Sequence, residues 1–157
     1  MHRTPDDQPA ATAPGSPASV TIVRRVEWSD TDAAGHHHHA AILRWAEAAE
    51  TELLRQLGLD GLYGAIPRVH YEADYRGRLW FGENVTVELC VAKVGTTSLH
   101  YTFDVHGREG LAATGRMSIA HAQPRATSAA PWTETQTRLF GTAGPQHTTY
   151  EPLDSQP

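Results

Sequence analysis

The sequence has one cysteine, one lysine and no long hydrophobic run. Cys90 alone cannot form an internal disulfide, and this scarcity predicts a reducing, cytoplasmic setting. No apolar run approaches the ~20 residues that a membrane-spanning helix needs, so we expect no membrane partner. The first 18 residues also lack the apolar segment of a secretory signal. A net charge of −5 argues against a nucleic-acid partner held by bulk electrostatics.

The 157 residues provide for a single domain. Residues 1–18 contain four prolines and no periodic pattern, which predicts a disordered amino-terminal tail. We expect the folded domain to span 19–122. Residues 123–157 are again rich in polar residues and proline, and predict a carboxyl-terminal tail. Its apolar residues Trp132, Leu139 and Phe140 favour a short helix at about 133–140.

The hydrophobic period changes along the predicted domain from two residues to about 3.6. Val20, Ile22, Val26 and Trp28 share one alternating register and predict a first strand. A helical stripe then begins at Ile42 and ends at Leu57, and Gly58 suits the position that closes such a helix. The members of the stripe are Ile42, Trp45, Ala46, Ala49, Leu53 and Leu57.

Four further alternating segments follow the helix, at 69–75, 85–91, 99–105 and 111–119. Glycine-containing turns lie between all four of them, so we expect these strands to form a meander in chain order. The order predicts an α+β domain in which one long helix packs on a five-stranded antiparallel sheet. Because such a sheet leaves its edge strands unpaired, we expect a homodimer or a homotetramer, formed by pairing of sheet edges or by helix packing.

The loop between the first strand and the helix carries the densest cluster of polar residues, with the sequence WSDTDAAGHHHH over 28–39. The amino end of a helix offers unpaired N–H groups that can bind an oxyanion. A carboxylate with imidazoles beside it supplies the groups needed for acyl transfer or for activation of water. Asp30 and Asp32 are also the kind of residue that caps a helix, and this alternative involves no catalysis.

The segment WSDTDAAGHHHHAAILRWAEAAETELLRQLGL resembles the opening of hot-dog-fold acyl-CoA thioesterases of the 4-hydroxybenzoyl-CoA thioesterase type. The likeness continues through YRGRLWFGE at 75–83 and the later strands. This resemblance implies a hot-dog fold, in which the sheet wraps around the central helix. It also implies a thioester hydrolase that acts on an acyl-CoA or an acyl-carrier-protein substrate without a metal or other cofactor.

The resemblance assigns roles to individual residues of the loop. Asp32 matches the catalytic aspartate, which attacks the thioester carbonyl or activates water. His39 matches the residue that closes the motif, and the backbone N–H groups from Gly35 onward would polarise the carbonyl. Trp28 stands where many relatives carry tyrosine, and we expect it to contact the substrate. Asp30 is expected to hold the turn through hydrogen bonds.

Further residues are candidates for binding the substrate. Arg76 and Arg78 suit the phosphates of CoA or of a phosphopantetheine arm, although a solvated strand end is an equal alternative. Tyr71 is expected to line an apolar tunnel together with Tyr75, Leu79 and Trp80. His37 is the other candidate for contact with the substrate.

Three alternatives remain at the level of the sequence. Asp32 and His37 have the Asp-x4-His spacing of hot-dog enoyl hydratases and dehydratases, although Ala33-Ala34-Gly35-His36 replaces their usual Asn-Pro. A non-catalytic acyl-binding module would be favoured if Asp32 made only structural hydrogen bonds away from any cavity. His36 and His39 are three apart and can share a metal, but no Cys or acidic residue is spaced to complete the site.

Overall fold

The computed structural model describes residues 15–123, 125 and 127–150. The elements follow the chain as β1 (Ser19–Arg25), α1 (His39–Gln56), β2 (Arg68–Tyr75), β3 (Asn84–Val94), β4 (Ser98–Gly107), β5 (Gly110–Ala120), α2 (Glu134–Thr142) and β6 (Thr149–Tyr150). The two helices pack with a six-stranded sheet whose order is β2-β5-β4-β3-β1-β6. Short 3₁₀ turns at Trp28–Asp30 and Asp60–Leu62 lie on either side of α1.

The apolar stripe of α1 forms the centre of the core. Trp45, Ala46 and Leu53 are buried by at least 99 %, and they belong to one cluster with the inward residues of β3, β4 and β5. Gly58 has a φ of +72°, and its N–H donates to the carbonyl of Arg55. This left-handed conformation favours glycine and ends the helix where the sequence predicts.

The predicted α+β fold is confirmed, with one added strand. The pairs among β1 to β5 are all antiparallel, as expected, and β1 pairs with β3. The expectation that the four strands after α1 form a meander in chain order is wrong, because β2 pairs with β5 and not with β3. The sheet has six strands rather than five because the two residues of β6 run parallel to β1, with Ile22 opposite Thr149. A two-residue parallel strand has no periodic pattern, so nothing in the sequence indicates it.

Several residues on the apolar registers of the predicted strands are exposed, Trp28 and Val69 most of all. Trp28 does not continue β1, because residues 28–30 turn into a 3₁₀ helix and leave its side chain 78 % exposed. Val69 lies where the register between β2 and β5 shifts, and 61 % of its surface is exposed. A bulge of this kind changes which face a side chain occupies, so simple alternation fails there.

Packed structure extends on both sides of the limits 19–122. Ala18 is fully buried, and its N–H donates to the carbonyl of Phe140. Phe140 itself lies in α2, which begins one residue after the predicted start and is capped by Thr133 and Gln136. Trp132 joins the same core cluster and stacks on His121, with ring centroids 4.4 Å apart. Residues 1–14 and 151–157 of the predicted tails lie outside the described residues. Among the described helices, none is long and apolar enough to cross a membrane.

Candidate active site

The loop between β1 and α1 is a small folded unit held by backbone hydrogen bonds. Thr31 and His37 pair as an antiparallel bridge, and a tight turn lies between them. In that turn the N–H of Gly35 donates to the carbonyl of Asp32 at 3.0 Å, and the φ of Gly35 is +85°. A side chain is strained at this φ, which accounts for glycine at that position. The bridge and the turn place Asp32 at a fixed point beside the start of α1.

Asp30 and Asp32 have separate tasks in this loop. Asp30 is 93 % buried, accepts the N–H of Glu27 at 2.8 Å and pairs with Arg44 at 3.1 Å. Its predicted structural role is therefore confirmed. The exposed carboxylate of Asp32 accepts a single hydrogen bond, from the N–H of Ala34 to Oδ1 at 2.8 Å. No other described residue bonds to this carboxylate, so Oδ2 stays available.

The residue that caps α1 is His38, so the alternative in which Asp30 or Asp32 caps this helix is wrong. The Nδ1 atom of His38 accepts the N–H of Ala40 at 3.0 Å. An imidazole in this position replaces the usual Ser, Thr, Asp or Asn. His39 is the first helical residue, and within the described chain its N–H has no acceptor. Such an N–H lies at the positive end of the helix dipole.

His37 is held in a single tautomer by the loop that follows β2. The Leu79 N–H donates to Nδ1 of His37 at 3.1 Å, and the His37 N–H returns a bond to the Leu79 carbonyl at 2.8 Å. Because Nδ1 accepts a hydrogen, the neutral ring carries its proton on Nε2. Burial lowers the pKa of His37, and the neighbouring His36 lowers it further. The ring is thus a neutral hydrogen-bond donor.

A cavity of about 350 Å³ opens beside this loop. Its walls are Asp32, His36, His37, His39, Tyr75, Arg76, Gly77 and Arg78. The hydroxyl of Tyr75 donates to the His39 carbonyl at 3.3 Å, which joins the end of β2 to the start of α1. Arg76 and Arg78 are exposed, and neither forms an ion pair with a described residue. The cavity therefore combines an available carboxylate, aromatic rings and two unpaired cations.

The structure brings together five of the predicted site residues, namely Asp32, His37, His39, Arg76 and Arg78. It places Trp28 elsewhere, edge-on to Phe81 with ring centroids 6.0 Å apart, because the 3₁₀ turn directs it outward. Tyr71 also lies outside the cavity and stacks on Phe103 in the core.

Gly35 shapes the loop but is not positioned as a donor to the substrate, because its N–H is bonded to Asp32. Of the expected tunnel residues, only Tyr75 lines the cavity. His36 and Gly77 also line the cavity, although they were not predicted to do so. Their only signal in the sequence is their place in the histidine run and between two arginines.

The geometry argues against the alternative that pairs Asp32 with His37 in acid–base chemistry. To take up a proton while keeping its Nε2–H, His37 would have to accept it at Nδ1, where the Leu79 N–H already donates. A histidine in this state can donate a hydrogen bond but cannot act as the base of a hydratase without breaking the loop.

Comparison with known proteins agrees with the fold. The family model of the Thioesterase-like superfamily matches residues 26–139. A 1,4-dihydroxy-2-naphthoyl-CoA hydrolase of Prochlorococcus marinus strain MIT 9313 is 30 % identical over 132 residues, covering 74 % of this chain and 87 % of the relative. The corresponding hydrolase of Synechococcus sp. strain CC9605 is 32 % identical over 107 residues, or 61 % of this chain and 72 % of the relative.

A solved structure shares the fold at low sequence identity. The 1,4-dihydroxy-2-naphthoyl-CoA thioesterase of Synechocystis superposes with a TM-score of 0.70 at 21 % identity, covering 78 % of this chain and 95 % of that structure. The chain belongs to the Thioesterase-like superfamily, because the family model covers most of its length. The predicted class, a hot-dog thioester hydrolase, is thereby confirmed.

Proposed function

We propose that this chain hydrolyses an aromatic acyl-CoA thioester, with Asp32 as the catalytic residue. The observation that carries the proposal is the available carboxylate of Asp32 in a cavity at the start of α1. The relatives named above are hydrolases of 1,4-dihydroxy-2-naphthoyl-CoA, which has an aromatic acyl group. The rings of Tyr75, His37 and His39 offer flat surfaces in the cavity for such a group.

The reaction needs one carboxylate and one water. Asp32 either takes a proton from water, which then adds to the thioester carbonyl, or adds to that carbonyl itself to form an anhydride that water later cleaves. In both routes the C–S bond breaks, the CoA sulfur leaves as thiolate and gains a proton, and the acyl group leaves as a carboxylic acid. The bond from Ala34 fixes the carboxylate and leaves Oδ2 for this task.

The negative charge that develops on the carbonyl oxygen needs a hydrogen-bond donor to stabilise it. We assign this role to the N–H of His39, which is the first amide of α1 and has no acceptor among the described residues. Its position at the helix end favours a developing anion. We further propose that His37, a neutral Nε2–H donor in the cavity wall, binds a second oxygen of the substrate. In this scheme the imidazole ring of His39 contributes less to the reaction than its backbone N–H does.

Arg76 and Arg78 are proposed to bind the phosphates of CoA. Both are exposed, line the cavity and lack an ion-pair partner in the described part of the chain. A guanidinium group matches phosphate geometry well. The same pair suits the single phosphate of a carrier protein's phosphopantetheine arm, so rates with CoA-linked and carrier-linked forms of one acyl chain need to be compared.

We also propose a cytoplasmic homodimer or homotetramer. Strand β2 is an edge strand with no further neighbour among the described strands, whereas β6 covers part of the opposite edge. An unpaired edge is prone to pair with a second copy. The solitary Cys90 fits a reducing compartment. Light scattering of the purified protein distinguishes a monomer from a dimer or a tetramer.

The decisive experiment is the replacement Asp32→Asn, assayed with a panel of aromatic acyl-CoA thioesters and a thiol reagent that reports free CoA. We expect kcat to fall by about 100-fold or more, because positioned acid–base groups contribute roughly 10²–10⁴ to rate. The matched control is Asp60→Asn, which changes an exposed aspartate beyond the far end of α1. Unchanged hydrolysis in Asp32→Asn would refute the proposal, as would an absence of thioesterase activity across the panel.

A further inference from the structure

Glu83 is a buried carboxylate for which the proposed reaction has no role. The residue is only 8 % exposed, and it is not among the residues that line the cavity. Oε2 accepts the N–H of Trp80 at 2.7 Å, and Oε1 accepts the N–H of Arg108 at 3.0 Å. A buried carboxylate is costly unless hydrogen bonds compensate for lost water, and here both oxygens are bonded. Glu83 therefore ties the loop after β2 to the turn between β4 and β5.

The close approach of these two segments depends on Gly107 at the end of β4. A Cβ atom there would lie 2.7 Å from Oε1 of Glu83 and 2.3 Å from Cδ2 of Leu79. Both contacts are too short for real atoms, so only glycine allows the carboxylate and Leu79 to occupy their positions. Glu83 and Leu79 are thus packed against the same point of the turn.

The segment that Glu83 holds is the one that holds His37. Leu79 immediately precedes Trp80, and its N–H donates to Nδ1 of His37 at 3.1 Å. The Leu79 carbonyl accepts the His37 N–H at 2.8 Å, so the contact is a matched pair of bonds. A shift of the Trp80 N–H away from Glu83 would rotate the adjoining peptide group, which contains the Leu79 carbonyl. The carboxylate can therefore influence His37 without touching it.

We propose that Glu83 is a positioning residue that keeps His37, beside the cavity, in the tautomer with its proton on Nε2. The inference rests on the proposed function for its catalytic meaning, since it assumes that His37 binds a substrate oxygen. Its structural part, the tautomer of His37, is measurable without any substrate. A carboxylate suits this position because both of its partners are N–H donors. An amide in its place would direct an NH₂ group at one of those donors.

The test compares wild type with Glu83→Gln, which has nearly the same size, by ¹⁵N NMR of the histidine rings. In wild type, His37 should give an unprotonated Nδ1 and a protonated Nε2. In Glu83→Gln the two signals should move toward the averaged positions of an imidazole that exchanges between tautomers. Glu88→Gln, which changes an exposed residue of β3, is the matched control and should leave the His37 signals in place. His37→Phe identifies the signals.

Kinetics supply the second readout. Glu83→Gln should raise KM by about threefold to tenfold, as expected for the loss of one hydrogen bond, with a smaller change in kcat. In a His37→Phe background the same change should have no further effect on KM, because the residue it positions is gone. If Glu83→Gln does not fold, Glu83→Asp is used, since its shorter carboxylate can retain only one of the two bonds.

The two proposals fail in different ways. Unchanged His37 signals in a folded Glu83 variant would overturn the positioning role, whatever the activity. The positioning role would also be overturned if Glu83→Gln raised KM equally in the wild-type and in the His37→Phe background. Absence of thioester hydrolysis in wild type would instead refute the proposed function, and the NMR comparison would still decide the effect of Glu83 on His37.

Discussion

The two ends of α1 treat charged groups in opposite ways. Toward its carboxyl end, Glu50 binds both Nη atoms of Arg68 at 2.8 and 3.1 Å, and both side chains are largely buried. At the amino end, Asp32, Arg76 and Arg78 surround a cavity, and within the described residues none of the three forms an ion pair. The Glu50–Arg68 charges join two elements, whereas the three charges around the cavity stay unpaired, unlike the neighbouring Asp30–Arg44 pair that holds the loop to α1.

This difference separates stability from function along one helix. The Glu50–Arg68 pair connects α1 to β2, 18 residues further along the chain. Burial, together with the nearby Glu50 carboxylate, raises the pKa of Tyr101, which packs beside the pair. Charged side chains that are buried and paired in this way are not available to bind a ligand. The unpaired groups at the amino end can do so, and changes there should affect catalysis more than folding.

The largest effect on stability is expected at the buried pair. Glu50→Ala would leave the Arg68 guanidinium buried without its partner and should lower the free energy of unfolding by about 3–5 kcal/mol. Urea unfolding measures this, with Glu47→Ala on the exposed side of the same helix as the control. The folded fraction of the variant should keep its kcat, and a loss of kcat would break the division between the two ends.

A double variant sharpens the same point. Replacing Glu50 and Arg68 together by methionine removes both charges and should restore most of the lost stability, since apolar replacements of buried pairs are often neutral or stabilising. If the double variant is as unstable as Glu50→Ala, the lost packing rather than the unpaired charge explains the effect.

The next effect in size concerns the unpaired arginines. Arg76→Gln with Arg78→Gln should raise KM for an acyl-CoA substrate by about tenfold, which corresponds to ~1.4 kcal/mol of lost binding. The free energy of unfolding should stay nearly unchanged because both side chains are exposed. The same acyl group on N-acetylcysteamine lacks the phosphates of CoA, so its KM should not respond. An equal rise for both substrates would show that the arginines do not bind phosphate.

A smaller effect is expected on the free energy of unfolding when the pH changes the protonation of His37. Burial and the neighbouring His36 hold its folded-state pKa below its ordinary value, while Asp32 and Glu83 partly oppose the shift. Below about pH 6.5 the unfolded chain therefore takes up a proton more readily than the folded protein. The free energy of unfolding should fall with decreasing pH until His37 also protonates in the folded state, by at most about 1.4 kcal/mol per pH unit.

Urea unfolding at about pH 7.5 and about pH 5.5 measures that slope, and His37→Gln should flatten it. The replacement removes the titrating ring, so the other histidines set the remaining slope. A variant that keeps the full slope would show that His37 is not the group responsible.

The sequence alone predicted what depends on local periodicity and on a recognisable motif. The stripe from Ile42 to Leu57 placed α1, and Gly58 marked its end, because both signals lie within a few residues of the structure they specify. The motif also predicted a place for Asp32 beside the start of α1, where it lines the cavity. The four segments after the helix were placed within a few residues of β2 to β5.

The remaining features depend on contacts between distant residues. His37 owes its tautomer to Leu79, 42 positions away, and no local pattern indicates that bond. Trp28 follows an alternating register, but the cap that Asp30 gives to a 3₁₀ turn directs it outward. The burial of Ala18 likewise requires Phe140 of α2. Local periodicity cannot determine such contacts, because they form only in the complete fold.

The smallest effect is expected at Glu52, near the last turn of α1. Hydrogen bonds from Arg55, Thr149 and Gln56 lower the pKa of Glu52 to about 2. The stabilisation should be present above about pH 4.5 and be lost as the pH falls through about 2. Arg55 is largely exposed, so Glu52→Gln should reduce the free energy of unfolding by less than ~1 kcal/mol at neutral pH. Urea unfolding measures this change. If Glu52→Gln lowered the free energy of unfolding as much as Glu50→Ala, burial would not explain how much each ion pair of α1 contributes to stability.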